Sequence, residues 1–314
     1  MTRRKKPTSQ KKRPQQKTAP AKYTASASLK TLLSLLFIGG LVLVGLVLVA
    51  RLPQPAAPGY PAPAATKSLV ITEEIEIAPQ PDLTVQPPAT QPVHRPRLAI
   101  IMDDLGEDLA RARQVVELKV PVTLAIIPDL SHSCAVMELA TAHQHEVMVH
   151  LPMEPLGYPQ HNPGAQALFV ALDDGEIRQR TRHFLDALPD AVGCNNHMGS
   201  AFTARGDKMT PALEEIHQSG LFFVDSLTCS NSVAAQNARQ LGIPTAKRDV
   251  FLDNITEVNQ ILARLEQLAQ TSQAKGEAIG ICHPYPQTLV ALQQFAPRLE
   301  ELGIEAVYAS QLVR

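Results

Sequence analysis

The stretch Leu98-Ala-Ile-Ile-Met-Asp-Asp-Leu-Gly106 decides the fold of this chain and indicates its chemistry. Its five apolar residues are typical of a buried strand, which ends in Asp103 and Asp104. A buried charge without a partner costs free energy, so two adjacent carboxylates add little to folding. One Asp before a helix is usually an N-cap, but two carboxylates exceed what a cap needs. The pair therefore indicates metal binding or proton transfer.

Three histidines occur in a similar setting further along the chain. His150 ends the run 145–150, His197 follows the run 191–196, and His283 follows the run 278–282. A single histidine at a strand end is more often structural than a ligand. Several of them at strand ends, together with the Asp pair, favour one shared site.

Apolar runs rich in β-branched residues alternate with amphipathic helical stretches after residue 95. The predicted strands cover 97–102, 122–127, 146–151, 191–195, 221–225, 243–247, 277–282 and 304–308, and the predicted helices cover 107–118, 131–143, 174–188, 210–219, 231–241, 255–270 and 287–301. This alternation predicts right-handed βαβ units and a parallel sheet. Seven or eight units in about 220 residues predict an α/β fold of the (β/α)7–8 barrel type, with an open doubly wound sheet as the alternative.

Catalytic groups of such barrels collect at the carboxyl ends of the strands. Asp103, Asp104, His150, His197, Asp225 and His283 all lie at predicted strand ends of this kind. Imidazole and carboxylate together suit Zn²⁺ and related divalent metals, which activate water for hydrolysis. The chain has no G-x-S-x-G elbow, no G-x-G-x-x-G and no phosphate loop, which disfavours serine hydrolases and nucleotide-binding folds.

Composition divides the chain into four parts. Residues 1–30 hold ten Lys or Arg and no acidic residue, which predicts a disordered basic tail. Residues 31–50 carry no charge and are long enough for one transmembrane helix. Residues 51–95 form a Pro/Ala-rich linker, and 96–314 form the folded domain, which holds all the candidate site residues.

The charge distribution predicts topology. A cleaved signal peptide is the alternative for 31–50, but the long basic flank and the long apolar run favour an uncleaved signal anchor. The positive-inside rule then predicts a single-pass inner-membrane protein with its folded domain on the periplasmic or extracytoplasmic side. From residue 95 onward the chain has 17 basic and 26 acidic residues, a net charge near −9 that argues against nucleic acid as a partner. Four cysteines without C-x-x-C spacing permit disulfides but predict no pairing.

Six separated motifs, in order along the domain, resemble those of a known family. They are Ile100-Ile-Met-Asp-Asp-Leu-Gly106, His150-Leu-Pro-Met-Glu-Pro155, Asn195-Asn-His-Met-Gly-Ser200, Val224-Asp-Ser-Leu-Thr228, Arg248-Asp-Val-Phe-Leu-Asp253 and Ile281-Cys-His-Pro-Tyr-Pro286. Together they resemble the divergent polysaccharide deacetylase family, a branch of the carbohydrate esterases that remove N- or O-acetyl groups from envelope polysaccharides. The resemblance implies a distorted (β/α) barrel, a divalent metal, and an acetylated polysaccharide or peptidoglycan substrate.

The resemblance also implies roles for individual residues. Asp103 corresponds to the general base, and Asp104 and His150 correspond to metal ligands. We expect His197, from the Asn-Asn-His motif, to supply the remaining imidazole ligand. The family's second histidine, four residues after the first, is replaced here by Glu154, which we expect as a substitute ligand or a neighbour of the ligands. His283 corresponds to the general acid, and Asp225 is expected to orient a neighbouring group. Asn196 and Arg248, which lie within the motifs, are predicted to contact the substrate.

Two other functions remain open from the sequence. One is a non-catalytic envelope module that binds glycan or a membrane partner, which the Glu154 replacement favours. The other is a metal-dependent amidase or phosphoesterase acting on another envelope component.

Overall fold

The structure, a computed structural model, describes residues 95–314. The predicted basic tail, the predicted transmembrane segment and nearly all of the predicted linker (1–30, 31–50 and 51–94) lie outside the described residues. Within 95–314, every helix is too short or too polar to span a bilayer. All four cysteines lie in this part of the chain and are free thiols, with Cys194 and Cys282 buried.

In the described part of the chain, nine parallel strands form one sheet. They are β1 (Arg97–Leu105), β2 (Thr123–Ile126), β3 (Val147–Met153), β4 (Gly193–Met198), β5 (Phe222–Asp225), β6 (Thr245–Lys247), β7 (Val250–Phe251), β8 (Glu277–Cys282) and β9 (Glu305–Val307). Their order is β6-β5-β4-β3-β2-β1-β8-β7, and β9 pairs with the first residues of β1. The predicted parallel sheet is therefore confirmed.

Within residues 95–314, seven α-helices connect the strands. They are α1 (Leu109–Val116), α2 (Ser133–Ala142), α3 (Asp174–Asp186), α4 (Gly206–Gln218), α5 (Ala234–Gln240), α6 (Val258–Lys275) and α7 (Pro286–Glu301). Local chemistry sets several of their ends. Asp173 and Glu176 form a capping box at the start of α3, and Gly276 ends α6 in the left-handed conformation.

The sheet curves into a half-barrel and is not closed by strand pairing. β6 pairs with β5 and β7 pairs with β8, and only Arg248 and Asp249 separate β6 from β7 in the chain. The Arg248 N–H donates to the Asp225 carbonyl and the Asp249 N–H donates to the Ile279 carbonyl, so these two residues bridge the seam. The sequence predicts a closed or nearly closed barrel, and the structure has a half-barrel whose two edge strands are joined only through this seam. The two-residue strand β7 was not predicted because it is too short to show a period.

Side chains alternate between two apolar layers along each strand, which fixes where the polar residues point. In β1, Ala99 and Ile101 belong to the core inside the curved sheet, whereas Leu98, Ile100 and Met102 pack against the helices. Asp103 follows Ile101 in this alternation and therefore lies on the inner face. The inner core ends where Asp103 begins a polar layer at the mouth of the half-barrel.

Candidate metal centre and active site

Three side chains converge at the mouth of the half-barrel. His150 Nε2 lies 3.2 Å from Asp104 Oδ1, His197 Nδ1 lies 2.8 Å from the same oxygen, and the two nitrogens are 3.2 Å apart. These three residues have the separation and the chemistry that could hold a metal ion. Ligands of one Zn²⁺, each at about 2.0–2.1 Å, lie roughly 3 Å from one another, as these atoms do.

Asp104 has two features that favour an ion at this point. Its Oδ1 atom is buried, and although two imidazole nitrogens lie within 3.2 Å of it, it forms no hydrogen bond of good geometry with the described residues. A buried oxygen of this kind normally has a partner, so a cation would complete it. Its backbone has a φ of 58°, a left-handed conformation that turns the side chain toward the two histidines. Burial opposes ionisation of Asp104, but the two nearby histidines hold the pKa of this carboxyl below its usual range.

Strand register brings the histidines together. His150 pairs with Asn195, and Pro152 pairs with His197, in the parallel ladder of β3 and β4. Both histidines lie within their strands, not after them, because β3 continues to Met153 and β4 to Met198. His150 falls two residues after Met148, which is part of the inner core, so its imidazole also faces the interior.

Asn195 connects the candidate metal-binding residues to Asp103. The His150 Nδ1–H donates to Asn195 Oδ1 over 2.7 Å, and Asn195 Nδ2 donates to Asp103 Oδ1 over 2.8 Å. Because Nδ1 carries the proton in this arrangement, the neutral imidazole presents the Nε2 lone pair to the cluster. The amide thus orients an imidazole and a carboxylate at the same time.

Asp103 is buried beside the cluster without belonging to it. Its Oδ2 lies 3.6 Å from His150 Nε2, and its side chain is nearly inaccessible. Burial raises the pKa of Asp103 above the ordinary value of an aspartate, although His150 and His283 act in the opposite direction. A carboxylate with a raised pKa is a better proton acceptor than an ordinary one.

His283 faces the cluster from the segment after β8. Its Nδ1–H donates to Asp253 Oδ1 over 3.0 Å, and its Nε2 lies 3.7 Å from Asp104 Oδ2. Asp253 is itself fixed, because its Oδ2 accepts the His283 backbone N–H at 2.6 Å and the Thr288 hydroxyl at 2.9 Å. Burial lowers the pKa of His283, but Asp253 and the Asp103–Asp104 pair outweigh it and raise the pKa to about 9. This imidazole is therefore cationic at neutral pH.

Most of the candidate residues share one cavity of about 660 Å³. Seven of the nine residues predicted from the sequence line it, namely Asp103, Asp104, His150, Asn196, His197, Arg248 and His283. Both atoms of the Asn196 side-chain amide are already hydrogen-bonded to neighbouring backbone. Oδ1 accepts the Ser226 N–H, and Nδ2 donates to the Met198 carbonyl.

Glu154 and Asp225 lie outside this cavity. Glu154 Oε2 accepts the Val170 N–H at 2.6 Å, and the structure does not bring this carboxylate to the cluster. Asp225 accepts hydrogen bonds from the Leu227 N–H, the Ser232 hydroxyl and the Ala235 N–H, so it orders the turn after β5. It is one residue out of phase with the inward-facing Val224, which is why it points away from the mouth.

Sequence reasoning missed Asn195 and Asp253 as site residues. Both lie inside motifs quoted for the family resemblance, and that was the available signal. Their contacts join positions 92, 45 and 30 residues apart, which no local pattern reveals.

Comparison with known proteins agrees with this geometry. A sequence model of the family described as "Divergent polysaccharide deacetylase" matches residues 100–313. The uncharacterized protein YibQ of Escherichia coli (strain K12) is 32% identical over 224 residues, which cover 71% of this chain and 69% of YibQ. An uncharacterized protein of Haemophilus influenzae is 30% identical over 205 residues, which cover 65% of this chain and 72% of that protein.

A solved structure has the same fold. The crystal structure of the uncharacterized protein ATU2773 from Agrobacterium tumefaciens C58 superimposes with a TM-score of 0.68 at 26% identity, covering 71% of this chain and 91% of that one. The parallel half-barrel, with polar side chains at its mouth, is a polysaccharide deacetylase-like α/β fold. This chain belongs to the divergent polysaccharide deacetylase family.

Proposed function

We propose that this protein is a metal-dependent hydrolase that removes N- or O-linked acetyl groups from a cell-envelope polysaccharide. One observation carries the proposal: the cluster of Asp104, His150 and His197 opens into the same cavity as Asp103 and His283. A purely structural role does not require a buried carboxylate oxygen that lies beside two imidazoles without forming a hydrogen bond of good geometry. Membership of the deacetylase family supports the reaction class.

Asp104, His150 and His197 would hold the divalent metal, for which the mixed imidazole and carboxylate set favours Zn²⁺. When bound, such an ion lowers the pKa of a water and polarises a carbonyl oxygen. Asn195 keeps His150 in the tautomer that a ligand needs. Glu154 and Asp225 take no part in this proposal, because their carboxylates are engaged elsewhere.

Asp103 would accept the proton of the attacking water. Its carboxylate lies next to the cluster, and Asn195 holds one of its oxygens in place. The other oxygen, Oδ2, is then the proton acceptor. The raised pKa of Asp103 makes this transfer more favourable than it would be for an exposed aspartate.

His283 would donate a proton to the leaving nitrogen or oxygen of the sugar. It is cationic at neutral pH and presents Nε2 toward the cavity, while Asp253 holds Nδ1. An amine is a poor leaving group without its proton, so this transfer contributes directly to cleavage of the C–N bond.

The location of the protein is part of the proposal. The ten basic residues before position 31 and the uncharged segment 31–50 support a single-pass inner-membrane anchor with a cytoplasmic tail. The catalytic domain 96–314 would then act outside the cytoplasm, where envelope polysaccharides lie. The Pro-rich linker would give it reach from the membrane.

The test uses the full-length protein purified in detergent. The protein is stripped with a chelator, reloaded with Zn²⁺ or another divalent metal, and assayed for acetate release from acetylated chitooligosaccharides and from peptidoglycan. We expect release only from the loaded protein and none from Asp103→Asn. Equal release with and without metal would contradict the proposal. Tight glycan binding without acetate release would instead support the non-catalytic envelope module.

A further inference from the structure

Two arginines line the cavity that contains the candidate metal-binding residues. Arg248, in the seam between β6 and β7, is half-buried, and its guanidinium lies 5.2 Å from the centre of the Phe251 ring. Arg248 Nε donates to the Ser226 carbonyl over 2.7 Å and Nη2 donates to the Leu227 carbonyl over 2.9 Å. These contacts fix the guanidinium and leave its Nη1 without a hydrogen-bond acceptor among the described residues.

Arg264 contributes a second cation from α6. It is exposed, and its Nη1 donates to the Gln267 amide oxygen over 2.8 Å, one helical turn away. Arg264 and Gln267 both line the cavity, as does Asn254. This wall therefore offers several N–H donors in addition to those of Arg248.

Neither arginine forms an ion pair with a carboxylate of residues 95–314. Burial lowers the pKa of Arg248, and the nearby Asp103, Asp225 and Asp249 act in the opposite direction. Some other arginines of the domain do pair with acids, as Arg97 does with Glu277. Asp249 also lines the cavity, but its carboxylate binds the Lys275 ammonium and the Ile279 N–H. The cavity therefore presents two guanidinium groups without an ion-pair partner among the described residues.

We propose that Arg248 and Arg264 bind a fixed negative charge on the substrate, so that the enzyme acts on an acidic polysaccharide. This inference rests on the proposed deacetylase function and adds the substrate class. The planar guanidinium matches the two oxygens of a carboxylate or a phosphate. The charge would be carried by the acetylated sugar or by a neighbouring one, since the arginines share the cavity with Asp103 and His283.

The experiment compares three oligosaccharides of equal length with the same acetylated glucosamine. One is a neutral chitooligosaccharide, one carries the carboxylate of N-acetylmuramic acid, and one carries a phosphate monoester. Calorimetry on the full-length Asp103→Asn protein in detergent measures binding without turnover. We expect at least tenfold tighter binding of one charged oligosaccharide over the neutral one, and the carboxylate and phosphate arms identify the source of the charge.

Arg264→Gln, a change at an exposed position, tests the residue itself. We expect it to reduce the ratio of charged to neutral affinity by roughly tenfold, as for the loss of a hydrogen bond to a charged group. Arg111→Gln is the matched control, because Arg111 also donates to a glutamine three residues later, Gln114, but lies on α1 outside the cavity. We expect the control to leave the ratio unchanged.

Two results would overturn this inference. One is equal affinity for the neutral and both charged oligosaccharides. The other is an equal loss of preference in Arg264→Gln and Arg111→Gln. Acetate release from the loaded wild-type protein is measured in parallel. Release without a charge preference would refute the acidic substrate alone, whereas a charge preference without release would refute the deacetylase function alone.

Discussion

The two walls of the cavity are built differently. On one wall, His150 lies inside a strand with its side chain 2% exposed, and Asn195 ties it to Asp103. On the other wall, His283 follows a strand, its side chain is 16% exposed, and Asp253 holds only one of its nitrogens. Holding an ion requires several fixed atoms, whereas delivering a proton to a substrate requires access. In the proposed mechanism, the strands therefore supply the metal ligands and the segment after β8 supplies the acid.

The largest effect should come from the wall that holds Asp104, His150 and His197, here called the ligand wall. In Asp104→Asn we expect bound metal to fall to background and acetate release to fall by about 10³-fold or more, because the anionic member of the proposed ligand set among residues 95–314 is lost. Elemental analysis and the acetate assay measure the two effects. Asp108→Asn is the control, since Asp108 caps α1 and Asn caps equally well. Normal metal content in Asp104→Asn would remove Asp104 from the ligand set.

On the wall that holds His283 and Asp253, here called the acid wall, His283→Gln should lower the rate of hydrolysis without lowering metal binding. We expect acetate release to fall roughly 10²–10⁴-fold with metal content unchanged, because a proton donor is lost and none of the proposed ligands is replaced. His183→Gln is the matched control, since His183 forms a surface pair with Asp129 at 2.9 Å. Loss of the metal together with the activity in His283→Gln would mean that the two walls act as one unit.

Asn195→Ala tests the link within the ligand wall. We expect metal affinity to weaken roughly 10–100-fold, because the orientation of His150 is lost. The free energy of unfolding should fall by about 1–3 kcal/mol, since two buried hydrogen bonds are removed. Metal titration and thermal unfolding measure these effects. Asn237→Ala removes the hydrogen bond from the Asn237 side-chain amide to the Gly206 carbonyl and controls for stability. Equal metal affinities in the two variants would contradict the role of Asn195 in orienting His150.

The smallest effect should come from Glu154→Gln. We expect metal affinity to stay within about twofold of the wild type, because the amide oxygen of Gln still accepts the Val170 N–H. The same metal titration measures it, with Asn195→Ala as the reference for a real loss. A comparable loss in Glu154→Gln would restore Glu154 to the ligand set and extend the ligand wall beyond β3.

Local patterns were enough to predict the parallel sheet and the placement of most site residues. The periodicity that predicts a strand or a helix is visible in consecutive residues. The carboxyl ends of parallel strands all lie at the same edge of the sheet. The pattern failed where a three-dimensional contact decides. Glu154 has the spacing of a ligand, but the strand ends before it and the Val170 N–H binds its carboxylate. Asp225 ends a strand as expected, but its parity in the strand turns it away from the cavity.

The polar links were beyond sequence reasoning for the same physical reason. Asn195 is a short amide inside a buried strand, and nothing nearby in the chain shows that it touches both His150 and Asp103. Asp253 reaches His283 across 30 residues, through a strand too short to recognise.

The backbone of Asp104 sets the proposed role of its side chain against the stability of the chain. Residues other than glycine in the left-handed region carry strain of order 1–3 kcal/mol when the surroundings impose it. Asp104→Gly would relieve that strain and remove the carboxylate in one step, so the geometry that suits a ligand here is one that folding alone does not favour.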